Sequence, residues 1–111
     1  MPRSRHPDEF GVTRSDRDGV IVLALSGELD VADVDRLAAA AADIPAGASV
    51  MVDLTELRFM DSSGLRMLMN LDLRSRVEGW RLTIADPQPA VERLLLLSGF
   101  EDRVPIRRRG G

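Results

Sequence analysis

Apolar and polar positions along the chain change period several times, and each change predicts an element. Phe10, Val12 and Arg14 alternate with Gly11 and Thr13, the two-residue period of a short edge strand. Asp16-Arg17-Asp18-Gly19 is an Asp-Gly hairpin signal, and residues 20–25 after it are apolar at every position. An unbroken apolar strand predicts cover on both faces, near the middle of a sheet that carries helices. Residues 26–30 turn the chain, with Asp30 placed as an N-cap. Val31, Val34, Leu37, Ala38 and Ala41 then share one helical stripe, with Asp33, Asp35 and Arg36 off it. Pro45-Ala46-Gly47 ends that helix.

The next apolar run, residues 50–54, reads as a buried parallel strand, and a helix is predicted over about residues 63–77 with Gly79 as its C-cap. Residues 80–85 alternate as a strand, with Leu82 and Ile84 on one face. Asp86-Pro87-Gln88-Pro89 opens a last helix that carries Val91, Leu94 and Leu95 inward and ends at Gly99. Val104 and Ile106, split by Pro105, read as a final edge strand. The order β-β-α-β-α-β-α-β predicts one α/β domain over residues 10–106, with a mostly parallel sheet of about five strands behind an N-terminal hairpin. Residues 1–9 and 107–111 are expected to be loose, solvated tails. If the central strands run parallel, the loops at 27–30, 61–64 and 86–88 emerge together on the edge where α/β sheets place their sites.

Composition narrows the chemistry. At 111 residues the chain makes one ordinary core, and a net charge of −3 argues against nonspecific nucleic-acid binding. All 15 basic residues are arginine and there is no cysteine. Walker-type and Schiff-base lysines, thiol catalysis and zinc–thiolate sites are therefore excluded. The sole histidine, His6, lies in the N-terminal stretch, a poor place for a held base. No apolar run is long enough to span a bilayer and no signal-peptide core follows the N-terminus, so a cytoplasmic domain without a membrane partner is expected.

The stretch Arg58-Phe59-Met60-Asp61-Ser62-Ser63-Gly64-Leu65 joins the third strand to its helix. It brings a carboxylate and two hydroxyls to a helix start, where free N–H groups and the helix dipole favour negative charge. Capping by Asp61, Ser62 or Ser63 is the plain use of such residues. The helix that follows has more apolar surface than one covering stripe requires. Met67, Leu68 and Leu71 lie on one side, and Leu65, Met69 and Leu73 on another. With Met60, Met67 and Met69 crowded nearby, the second stripe is expected to meet a partner.

Gly27-Glu28-Leu29-Asp30, Val52-Asp53-Leu54, the Phe59–Leu65 block and Val91-Glu92-Arg93-Leu94-Leu95 with Ser98-Gly99 together resemble the STAS domain, and more narrowly the bacterial anti-sigma factor antagonists. The likeness runs over roughly residues 10–106. It implies a non-enzymatic binding protein without a cofactor, whose partner is an anti-sigma factor that is also a serine kinase. It further implies that the kinase phosphorylates Ser62 and breaks the complex, and that a phosphatase restores it. Asp30, Asp61, Ser62, Ser63, Gly64, Leu65, Arg66 and Met69 then form the partner surface. Arg66 departs from the glycine or small residue common in relatives and sets a bulky cation near Ser62.

Other uses of these residues are less well supplied. Asp53 ends an apolar run as a receiver-domain phosphoacceptor would, but receiver chemistry needs a lysine and this chain has none. A hydrolytic Ser62 or Ser63 lacks a base, and no Gly-x-Ser-x-Gly occurs. Asp30, Asp61 and Asp86 could in principle converge on Mg²⁺, but scattered carboxylates at loop starts are more often caps. The same switch module could also serve a sensory assembly or a transporter complex in place of a sigma factor, and nothing in the sequence encodes the client.

Overall fold

The computed structural model describes residues 9–109. The expected N-terminal tail therefore falls outside the described residues, apart from Glu9. Strands β1 (Gly11–Arg17), β2 (Val20–Leu29), β3 (Ser49–Met60), β4 (Arg81–Ala85) and β5 (Ile106–Arg107) form one sheet in sequential order. β1 and β2 pair antiparallel through the Asp18-Gly19 turn, where both residues take positive φ, and the remaining pairs are parallel. Three helices make the crossovers: α1 (Val34–Ala40), entered through a 3-10 turn at Val31–Asp33, α2 (Ser62–Glu78) and α3 (Pro89–Leu97). The predicted α/β domain with an N-terminal hairpin is the observed architecture.

Cover on the sheet differs from the expectation. Consecutive parallel strands joined by crossovers of one hand place every helix on the same side. Leu23, Val52 and Ile84 share that side through the pairings Leu23↔Val52 and Val52↔Ile84, and each is fully buried. They join Leu37 of α1, Leu68 and Leu71 of α2 and Val91 and Leu95 of α3 in one core cluster. On the other face Val22 and Ala85 are buried, whereas Ala24, Met51, Asp53 and Thr83 are only half-buried. The apolar run of β2 is thus covered on the helix face and only partly covered on the other. On α1, likewise, Val31 and Ala38 of the expected stripe are exposed, and Leu37 and Ala41 carry the burial.

The largest departure is in strand length. The third strand continues six residues past the predicted end at Leu54, to Met60. β2 follows it to Leu29 by way of register shifts between Ala24 and Ser26 and between Gly27 and Glu28. Gly27, at φ 77°, supplies the left-handed backbone that such an irregularity uses. β4 stops at Ala85, opposite Asp53. Asp61 therefore lies eight residues beyond the level of Ala85, roughly 25 Å at about 3.3 Å per residue. The predicted meeting of three acidic loops does not occur, because two strands project and the third does not. α3 packs against β3 and fills the core beneath the projecting part.

The C-terminal residues are also better held than expected. Arg107 pairs in β5, Arg108 forms an ion pair with Glu92, and Arg109 pairs with Asp86, whose carboxylate also accepts from the Arg109 N–H. Glycines 110 and 111 fall outside the described residues.

Candidate functional site

The projecting ends of β2 and β3 build the site. The pairing Leu29↔Met60 sets Asp30 and Asp61 side by side at the strand ends, and the Asp61 N–H donates to the Leu29 carbonyl at 3.3 Å. Each aspartate then caps its own helical turn. Asp30 Oδ1 accepts from Ala32 N–H at 2.9 Å, and Asp61 Oδ1 accepts from Ser63 and Gly64 N–H at 2.9 and 3.1 Å. The cap of α2 is therefore Asp61. The reading that gave Ser63 a share of the capping does not hold, because Ser63 is already inside the first turn and is a donor to the cap. Ser62, the first residue of α2, is exposed.

Gly64 is buried against the strand ends. A Cβ there would stand 2.9 Å from Met60 Cβ and 3.0 Å from the Leu29 carbonyl oxygen. The helix start can approach β2 and β3 this closely only without a side chain at that position. This holds Ser62 two residues before a well-packed junction, presented outward while its neighbours are held.

Two grooves lie at the start of α2, one lined by Ser62 and the other by Ser63. One, of about 330 Å³, is lined by Phe59, Met60, Asp61, Ser62, Arg93 and Leu97, with Ala90 and Leu94 completing it. The other lies toward the 3-10 turn and includes Val31, Val34, Asp35, Ser63, Arg66 and Asn70. Leu65 is half-buried and packs on the core, Arg66 is exposed, and Met69 and Leu73 are 41% and 54% exposed. The doubled stripe of α2 is thereby resolved: Met67, Leu68 and Leu71 are core, and the Met69–Leu73 stripe faces outward. Met60 and Met67 are buried, so of that trio only Met69 is available to a partner.

Three exposed apolar residues around the start of α2 carry no direct sequence signal of exposure: Phe59 at 50% and Leu97 at 76% line the Ser62 groove, and Val31 at 72% lines the other. Phe59 was legible as the outward neighbour of buried Met60, had the strand been carried that far. Arg93 carries no signal of its own within the Val91–Leu95 motif, and its place in the Ser62 groove depends on α3 packing under the projecting strands.

Charge is concentrated at this edge. Burial raises the Asp33 carboxyl above its ordinary range, and the neighbouring Asp30 charge pushes the same way against the pull of Arg36. Asp53 is a structural carboxylate, accepting from Thr55 N–H at 3.0 Å and Thr55 Oγ1 at 2.6 Å within β3. Asp86 is engaged by Arg109 far from Asp30 and Asp61. Among the described residues no three His, Cys, Asp or Glu side chains are grouped to hold a metal ion, and no helix is long and apolar enough to cross a membrane.

Comparison with known proteins agrees on one family. A family model described as Mlab, STAS domain, matches residues 12–107. The anti-sigma F factor antagonist of Paenibacillus polymyxa is 34% identical over 91 residues, covering 79% of this chain and 78% of that one. An anti-sigma factor antagonist from Mycobacterium paratuberculosis superposes with a TM-score of 0.77 at 26% identity, over 92% of this chain and 88% of its own. The antagonist SpoIIAA, in its unphosphorylated form, superposes with a TM-score of 0.63 at 26% identity, over 88% and 87%.

Proposed function

Because the chain belongs to the STAS domain family, among relatives that are anti-sigma factor antagonists, we propose that it binds an anti-sigma factor serine kinase and that phosphorylation of Ser62 ends that binding. The single observation that carries the reading is an exposed serine hydroxyl at the first position of a helix whose cap is supplied by another residue. Modification of Ser62 then removes no hydrogen bond on which the fold depends.

The proposed step needs no catalytic group from this chain. The kinase transfers the γ-phosphoryl group of ATP to Ser62 Oγ, the hydroxyl proton leaves to the kinase, and ADP departs. The phosphate adds about −1.5 to −2 charges at a helix N-terminus, which tolerates them locally. Toward a partner the same charge stands beside Asp61 and Asp30. Like charges juxtaposed across a docking surface cost several kcal/mol. At about 1.4 kcal/mol per decade of affinity that suffices to dissociate a complex. Val31, Phe59, Met69 and Leu97 supply apolar contact around the serine, with Asp30, Asp61, Ser63, Gly64, Leu65 and Arg66 completing the surface. A cytoplasmic setting and a phosphatase that resets Ser62 complete the cycle. That SpoIIAA is described in an unphosphorylated form supports phosphorylation as a state of such antagonists.

Incubation with the cognate kinase and ATP, read by mass spectrometry, tests the assignment. Phosphate on Ser62, lost in Ser62→Ala, is expected. Modification of Ser63 alone, or of neither serine, refutes it.

A further inference from the structure

We propose that Arg66 and Arg93 together form an intramolecular receiving site for a phosphomonoester on Ser62. The inference rests on Ser62 as the phosphoacceptor and adds how the chain holds the modified form. Arg66 stands four residues after Ser62 on α2, so the two face the same side of the helix. Side chains on a helix lean toward its N-terminus, and the long Arg66 side chain is thereby directed over the turn that carries Ser62. Arg93 comes from the other side: it lines the same 330 Å³ groove as Ser62. Helix spacing from one side and the shared groove from the other thus put a cation from each of two helices within range of the serine.

Both arginines are exposed, and among the described residues neither has a hydrogen-bond or ion-pair partner. Carboxylates lie close without engaging them. Asp35 lines the Arg66 groove but forms no ion pair with it, and Asp61 is occupied by the Ser63 and Gly64 N–H groups. Guanidinium matches phosphate geometry through paired N–H donors, and a charge-assisted bond of that kind is the strongest contact available at this surface. Two unengaged guanidinium groups around one modifiable hydroxyl therefore suit a dianion arriving between them.

A regulatory consequence follows. In the unmodified protein these two cations are open to carboxylates of a partner. Once Ser62 carries phosphate, they turn inward to it. Modification then both adds negative charge and withdraws the positive charge that had been presented.

The test places phosphoserine at position 62 during translation by genetic code expansion, so no kinase is needed. Phosphorus NMR follows its second ionisation in otherwise wild-type protein and with Arg66→Gln, Arg93→Gln and both. Each arginine is expected to lower the ionisation by about half a pH unit, reduced by exposure from the larger effect of a buried pair, so the double substitution raises it by about one. Four superimposable titrations, or a change from only one of the two arginines, overturn the proposal. A kinase assay that leaves Ser62 unmodified would refute the functional reading without altering these titrations, so the two failures are distinguishable.

Discussion

At the C-terminal end of α2, Asp72 is buried and held by two guanidinium groups, Arg76 Nε at 3.2 Å and Arg103 Nε at 2.7 Å. Nearby, Arg74 lies over the Trp80 ring at 4.5 Å and donates to the carbonyls of Ala41 and Ala42 past the end of α1. Ser75 Oγ donates to the Asp72 carbonyl at 2.6 Å. Only the Trp80 Nε1–H lacks an acceptor among the described buried side chains, and nothing in the structure explains it. Toward the N-terminal end of the same helix, Ser62, Arg66 and Met69 face outward, and among the described residues the Arg66 side chain has no hydrogen-bond or ion-pair partner. The two ends draw on similar residue types. At one, the charges lock α2 to the segment after α3 and to the end of α1. At the other, the fold makes no use of them, so their substitution is expected to separate binding from stability.

Arg103→Ala breaks the locked end. It leaves Asp72 with Arg76 alone, and we expect a loss of about 2–3 kcal/mol in urea unfolding. That is below the roughly 3–5 kcal/mol of a fully buried pair, because the arginines are half exposed. A change under about 0.5 kcal/mol would show that the Asp72 cluster does not hold the segment.

Gly64→Ala probes the junction between the two ends. The added Cβ meets Met60 Cβ and the Leu29 carbonyl, and overpacking of this kind costs about 1–3 kcal/mol. Alanine recovers up to about 1 kcal/mol of helix propensity. A net destabilisation of about 1 kcal/mol is expected, with Ser62 amide resonances displaced. An increase in stability would contradict close packing there.

Leu73→Glu and Met69→Glu test the outward stripe. Both are expected to melt within about 0.5 kcal/mol of wild type while weakening the kinase complex at least about tenfold. Unfolding by either would return the stripe to the core.

The smallest effect belongs to Asp33. Its folded-state carboxyl is raised above the ordinary value of 3.8 by burial and by Asp30. Stability is then present at acidic pH and is lost as pH rises from the unfolded value through the folded one. Asp33→Asn should stabilise the protein by a few tenths of a kcal/mol at neutral pH, with no gain near pH 3. An equal gain at both pH values would assign the effect to something other than ionisation.

Periodicity and turn residues made the element order and most of the core readable, since Leu23, Val52 and Leu95 each sit in a clear apolar pattern, whereas the two apolar stripes of α2 left the place of Leu68 open. The projecting part of β2 and β3 was not readable. Glu28, Glu56 and Arg58 interrupt the alternation, and its continuation depends on an irregularity at Gly27 that only pairing reveals. Asp61 and Ser62 could be found as a helix start, but the choice of cap between adjacent Asp and Ser depends on backbone angles. Asp72 gave no signal at all. A buried acid on a helix reads like an exposed one until Arg103, 31 residues away, is brought against it.

The central claim is that the state of Ser62 decides whether the partner binds. Calorimetric titration of the kinase partner against unmodified and Ser62-phosphorylated protein, both shown to be folded, tests it most directly. We expect the phosphorylated form to bind at least about 100-fold more weakly, equivalent to about 2.8 kcal/mol. Equal affinities would contradict the account.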